Sequence, residues 1–384
     1  MAAWATNVGN EVLITVLTES ESAHGLEPLA RGLVDRYRRA GQPRPLVLYT
    51  DRDCCTQDGP SKLVALFEGW EGMTVRLDIW HFMRRIAVGV TSESHPLYGM
   101  FMQRISGCIF EWDADDHRLL QQAKRAMLKD AGIASPSESA IRKAITRDEL
   151  ALHCRRRTRG TEATVTAIET LLLALADATD TLGVPLLTDE MTLIWAEQRR
   201  HVACLQDPPG VALYSVTGTL RKGGVQLPVL RCARGTTSLE SFHLHLARFI
   251  PGTSANATNF QAFLLDGITR WNAQRSRDAL DAPTPRLRTF DVQLQHTVND
   301  LSRSLGLPPP FEHFRMPMAY TGEAIGIDYL FRQTGSSFPV DVNAAIDEGF
   351  EDLAEDEVTV VVQEADSTPV ELPTEDDLDI KVRY

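Results

Sequence analysis

Residues 46–55 read LVLYTDRDCC: an apolar run stops on Asp51, and Asp53 and two cysteines follow at once. A buried strand that ends in carboxylates has two uses. Its tip can present Asp51 to a metal ion in a cleft, or it can be a polar turn. Open α/β sheets place their sites at the carboxyl ends of strands, so the surroundings of this strand decide between the two.

Upstream, Trp4–Asn7 and Glu11–Thr18 flank the turn-forming pair Gly9-Asn10 and predict an opening hairpin. The segment EVLITVLTES is rich in β-branched residues and predicts a strand buried on both faces. Leu26, Leu29, Ala30, Leu33, Val34 and Tyr37 repeat at helical spacing, and Gly41 with Pro43 and Pro45 ends that helix near Ala40. Downstream, Ser61–Trp70 predicts a short helix and Thr74–Ile79 a strand. The order β–β–α–β–α–β means an α/β fold with at least one parallel crossover.

From about residue 81 to 205 helical periods dominate, at Trp80–Val88, Pro96–Phe110, His117–Ala131, Glu162–Ala178 and Thr188–Leu205. Ser135 is the expected cap of a further helix, with Pro136 at its first position and Glu138 completing a capping box. Strand patterns return at Val211–Thr217 and Val225–Arg231 around the turn-rich GTLRKGG. Helices are expected at Ser238–Phe249 and Asn256–Asn272, and RSRDALDAPTPRLRTF reads as a surface excursion.

The net charge of −13 is uneven. Residues 341–384 hold 15 of the 52 acidic residues and 2 of the 39 basic ones, so the other 340 residues carry 37 of each sign. The body is neutral; the acidic tail reads as disordered and repels nucleic acid, with Val358–Val362 as its one strand-like run. The longest apolar run, Leu171–Ala176, is far short of the ~20 residues that span a bilayer. The first residues show neither a basic start nor an apolar signal core. Six dispersed cysteines, two of them adjacent, fit reduced thiols, so nucleus or cytoplasm is the expected compartment, neither secreted nor membrane.

Chemistry is concentrated in a few side chains. Two-metal phosphoryl-transfer sites need carboxylates converging on a metal pair about 4 Å apart, and Mg²⁺ takes hard oxygen ligands. Asp51 sits at a strand tip, and Glu240 opens the expected helix in TTSLESFHLHLARF. Asp78 ends the strand TVRLD, with His81 three residues on. Each also has a plain structural use: a turn for Asp51, a first-turn acid favoured by the helix dipole for Glu240, a packed core histidine for His81. Arg84 and Arg85 beside the expected cleft, and Arg155, Arg156 and Arg157 in the run CRRRTR, are candidate contacts to DNA phosphates; the run also suits a helix end. His201 and Cys204 share a helical face, and Cys108 and Cys232 are the thiols that would complete a zinc site; without a CxxC pair, buried thiols are the reading. His243 and His245 point to different helix faces. Trp112, Trp195 and Trp271 fall in helical surroundings and read as core.

The segments YTDRDCC, LDIWHFMRR, and GTTSLESFHLHLARF with FQAFLLDGITRWN resemble the DDE transposase core of the ribonuclease-H-like superfamily, over roughly residues 4–275. The likeness is to the Mutator-like and related lineages with a helical insertion, and to a transposon-derived protein group expanded in fish genomes. It implies that Asp51 is the second catalytic Asp, that Asp78 to His81 match the family's Cys/Asp-x-x-His motif, and that Glu240 completes the triad across an insertion. It also implies Mg²⁺ or Mn²⁺ as cofactor, with DNA as partner. The family's first catalytic Asp lies on a first strand, whereas no Asp precedes Asp35 here. The expectation is therefore an N-terminally truncated core with an incomplete active site.

The expected architecture is α/β: a ribonuclease-H-like mixed sheet, first part at 1–90, a helical insertion at 91–210, a second core part at 211–275, an extension at 276–340 and the acidic tail at 341–384. Three functions stay open. They are a transposase-derived protein whose ancestral chemistry is metal-dependent DNA cleavage and strand transfer, a non-catalytic binding or scaffold protein or gene fragment, and a metal-dependent nuclease. A homo-oligomer is compatible with each.

Overall fold

Strand β1 (Ala2–Thr6) pairs antiparallel with β2 (Val12–Leu17), as the opening hairpin requires. This computed structural model describes residues 2–6, 11–20, 22–56, 59, 61–236, 239, 242, 243, 246, 256–279, 292–311 and 322–335. Consecutive Ile14, Thr15 and Val16 are all buried, so β2 is covered on both faces. The chain divides into two units: Met1–Arg76 with Gly235–Glu348, and an inserted stretch that holds Leu77–Arg234.

In the first unit, α1 (Ala23–Arg39) begins at Ser22, whose hydroxyl accepts the Gly25 N–H. Its apolar stripe, Leu29, Ala30 and Leu33, packs with Ile14, Val16, Phe67, Trp70, Met73 and Tyr329. Phe67 and Trp70 stack at 5.0 Å, and Tyr37 meets Trp70 edge-on at 5.2 Å. Strand β3 (Val47–Thr50) leads through α2 (Lys62–Leu66) to β4 (Thr74–Leu77), its hydrogen-bonded neighbour.

Gly326 forms an isolated bridge beside Val16 of β2. Gly326 donates to Thr15 O at 2.8 Å and accepts from Leu17 N at 2.9 Å. Its φ is +61°, and a Cβ there would strike Gln261 and Leu264. Helix α11 (Ala257–Ala279) also reaches β2, where the Asn272 side chain binds both Val12 N and Val12 O, as a paired strand would. Helices α12 (Val292–Ser304) and α13 (Ile327–Thr334) lie in the expected extension and were not foreseen. The Tyr329 hydroxyl donates to Gly25 O and accepts from Leu29 N, which ties α13 to the start of α1.

The second unit holds α3 (Ile79–Ala87), α4 (Tyr98–Ile109), β5 (Phe110–Trp112), α5 (Ala114–Asp130), α6 (Glu138–Ala144), α7 (Arg147–His153), β6 (Arg156–Thr158), α8 (Thr161–Ala174), α9 (Met191–Gln198), α10 (Val202–Leu205), β7 (Tyr214–Lys222) and β8 (Val225–Cys232). Its core includes Leu120, Ala123, Ile145, Leu150, Cys154 and Leu227. Glu149 is held between Lys124 and Lys222, at 2.8 and 3.1 Å.

Four details correct the expectations. Ser137, not Ser135, caps α6, and Glu138 becomes its first residue and pairs with Arg125. Strand β7 runs through most of GTLRKGG, and only Gly223-Gly224 turn, with φ of 52° and 76°, as a two-residue hairpin requires. Helix α11 continues through RSRDA, and the rest of the expected excursion lies outside the described residues. The hairpin β7–β8 and α3, expected in the core, both belong to the inserted unit. The fold is α/β, and its described strands pair two by two in separate ladders rather than as one sheet. Three- and four-residue strands offer little edge for further pairing. The acidic tail, including Val358–Val362, lies outside the described residues.

Candidate functional site

Asp51 follows β3 directly, and its side chain is 50% exposed, with Arg52 Nε at 3.9 Å. The turn behind it is tightly specified. Thr50 Oγ1 donates to Arg52 O at 2.7 Å, Asp53 takes a positive φ of 55°, and Ser61 Oγ donates to Asp53 O. A positive φ suits Asp better than most non-glycine residues. This geometry turns Cys54 inward, where it is buried with its sulfur 3.8 Å from that of Cys55. Asp51 is thus a carboxylate at the solvent-reaching end of a strand. Glu240 and His245, like most of the Ser238–Phe249 segment, lie outside the described residues; Leu239, Phe242, His243 and Leu246 are helical.

Asp78 opens the second unit in a different role. It is 2% exposed and caps α3, its carboxylate accepting the His81 N–H at 3.0 Å. The Asp-x-x-His spacing is therefore a capping spacing: a cap carboxylate reaches the N–H three residues on. The His81 ring meets Trp80 edge-on at 4.8 Å. Arg84 lies over the Trp80 ring and pairs with Glu93 at 3.4 Å. Arg84 and Arg85 occupy the last turn of α3, where cations suit the dipole.

The basic run CRRRTR is not a helix end throughout. Cys154 closes α7, and Arg156–Thr158 forms β6, paired with β5 in the register Trp112↔Arg156, Glu111↔Arg157 and Phe110↔Thr158. Strand alternation sorts the arginines by face. Arg157 meets Glu111 at 2.6 Å on one face. On the other, Arg156 lies 4.4 Å from the Phe110 centroid and 5.3 Å from that of Trp112. Arg155 forks onto Asp116, at 2.7 and 2.8 Å. Burial alone would raise the Asp116 carboxyl, but the Arg155 hydrogen bonds and charge hold it below the usual range. Trp112 is thus a half-buried strand residue, a correction to its helical reading, whereas Trp195 and Trp271 are buried helical residues as expected.

Arg234, Asp207 and Tyr214 complete this cluster and were missed from sequence. Arg234 is 6% exposed, forks onto Asp207 with two contacts of 2.8 Å, and lies over Phe110 at 5.2 Å and Tyr214 at 5.7 Å. The face sorting, aromatic with cation on one side and acid with cation on the other, appears only once Phe110–Trp112 pairs with Arg156–Thr158.

His201 is buried at the start of α10, with Cys204 one turn on. Burial, then the Arg200 and Arg85 charges, lowers the His201 pKa. Cys108 and Cys232 do not converge on them. Burial pushes the Cys108 thiol up to about 11 and the Cys154 thiol up to about 12, so both are unreactive hydrophobes. No described helix is long and apolar enough to cross a membrane. No family model, curated protein or solved structure matches the chain.

Proposed function

We propose that the first unit is a DDE-type, ribonuclease-H-like core in a transposase-derived protein, and that Asp51 and Glu240 are its metal-binding carboxylates. One observation carries this reading: the order in which the units interrupt each other. The strand pair β3–β4, with Asp51 at its tip, is followed at Leu77 by the inserted unit. The first unit resumes at Gly235, five residues before Glu240. An insertion between a strand-end Asp and a helical Glu is the arrangement that the sequence resemblance implies.

The half-exposed Asp51 fits a hard divalent cation as one oxygen ligand. When bound, such an ion polarises a phosphate and activates the attacking oxygen. Asp51 and Glu240 would hold it; a third carboxylate is not assigned among the described residues. The capping role of Asp78 favours one rival, a binding protein that keeps the core without its chemistry. Calorimetric titration with Mn²⁺ separates the two. The native chain is expected to bind Mn²⁺ at millimolar affinity or tighter, and Asp51→Ala/Glu240→Ala to lose that binding while keeping its unfolding midpoint. Equal heats from both proteins would replace the enzyme-derived site with the binding-protein reading.

A further inference from the structure

We propose that Arg156, laid against Phe110 and Trp112 in the second unit, is an oxyanion site that takes a phosphate group. The neighbouring arginines show why this one differs. Arg155 has Asp116, Arg157 has Glu111, and Arg234 has Asp207. Arg159 shares Glu111 at 3.7 Å and donates to the carbonyls of Gly107 and Phe110. Among the described residues, no carboxylate pairs with Arg156. Around the cluster five guanidinium groups face four carboxylates, those of Glu111, Asp113, Asp116 and Asp207. Arg156 is the one of the five without a carboxylate partner among the described residues.

The position is built rather than incidental. The Arg156 N–H donates to the Tyr214 hydroxyl at 2.9 Å, and its carbonyl accepts from Arg234 Nη2 at 3.0 Å. The main chain is therefore clamped while the guanidinium rests on two rings that are themselves half-buried. Stacking fixes the plane of the fork, the side of Arg156 by which arginine holds phosphate bidentately. Burial weakens the hold of Arg156 on its proton, Tyr214 opposes that and the nearby Arg234 charge adds to it, a net cost that a bound anion relieves. The phosphate of a nucleic-acid strand presents the same oxygens to this fork as a free phosphate does.

This inference concerns the inserted unit, and its failure is distinguishable from failure of the metal reading, because neither assay below uses Mn²⁺, Asp51 or Glu240. The full chain is titrated with inorganic phosphate by calorimetry, and a labelled single-stranded oligonucleotide is titrated with the chain by anisotropy across a salt series. Arg156→Gln is expected to weaken one or both by about tenfold, and to lower the oligonucleotide's salt slope by about one. Arg156→Lys, which keeps charge without the fork, should lie between it and native. Arg157→Gln should stay within about twofold, because Glu111 already neutralises Arg157. Loss confined to inorganic phosphate identifies a small-anion site, and loss of the oligonucleotide identifies a nucleic-acid strand; either supports the assignment. Thermal unfolding accompanies each variant; if Arg156→Gln fails to fold, Arg156→Lys and the native titrations decide. Native protein that binds neither probe, Arg156 variants that match native, or an Arg157→Gln loss as deep as that of Arg156→Gln would overturn it.

Discussion

Asp78 shows how one spacing serves two purposes. A carboxylate three residues before a histidine reads as a site motif, and the same interval lets a cap reach a backbone N–H. Asp78→Ala is expected to lower stability by about 1–2 kcal/mol in urea unfolding, and Asp78→Asn to recover most of it. Equal losses from both would mean that charge, not capping, is what Asp78 contributes. Glu149 makes a pH-dependent contribution. Burial opposes its ionisation, yet the Lys124 hydrogen bond, the Thr146 backbone and Lys222 hold its carboxyl at about 2, against an ordinary 4.5. A depressed folded-state pKa gives stability that is complete above the unfolded value and fades as pH falls from about 4.5 towards about 2. Glu149→Gln should therefore melt below native at neutral pH, with the gap closing across that acid window. A gap that stayed constant down to pH 2 would refute the ion-pair account. At this scale the sequence identified the polar residues but not their partners, since Asp116, Glu111 and Asp207 reach the basic cluster only once β5 and β6 pair.

Elements were legible where a period ran long enough. The repeat of Leu29, Ala30 and Leu33 gave α1, and the β-branched run gave β2. Strands β5 and β6 have three residues each, too few to display alternation, so Arg156 and Trp112 were read as helical neighbours. The cap of α6 slipped by two residues because Ser135 and Ser137 both precede an apolar period, and only the fold selects Ser137. Gly326 was invisible for a related reason: its role is a long-range one, to bridge β2 with φ +61° while Gln261 and Leu264 crowd its Cβ position. Gly326→Ala adds the strain of a backbone at φ 61° and ψ −129°, which glycine tolerates best, to a steric clash, and should cost about 1–3 kcal/mol in chemical unfolding. A loss under about 0.5 kcal/mol would show that the bridge adapts.

On the scale of the whole molecule, the expected insertion and the inserted unit have different ends. Helical periods dominate from about residue 81 to 205 and the expected insertion is 91–210, whereas the inserted unit holds Leu77–Arg234. The difference is packing. The turn after α3 sets Gly89 against Met191 and Ile194 of α9, and β8 places Leu227 in the core with Leu120 and Leu150. With a core of its own, the fragment Leu77–Arg234 is expected to unfold cooperatively when expressed alone, with a helical circular dichroism spectrum. A fragment without a cooperative transition would mean that the insertion depends on the first unit for its structure.

The central claim is that Asp51 and Glu240, 189 positions apart in sequence, hold one metal. The most direct measurement loads the chain with Fe²⁺ in place of Mg²⁺ and maps the peptide bonds cut by locally generated hydroxyl radicals. The account predicts cuts near residue 51 and near residue 240 in the same protein, both suppressed by excess Mg²⁺ and both absent from Asp51→Ala. Cuts at only one of the two places, or cuts that persist in Asp51→Ala, would contradict a shared metal site and with it the DDE-type core.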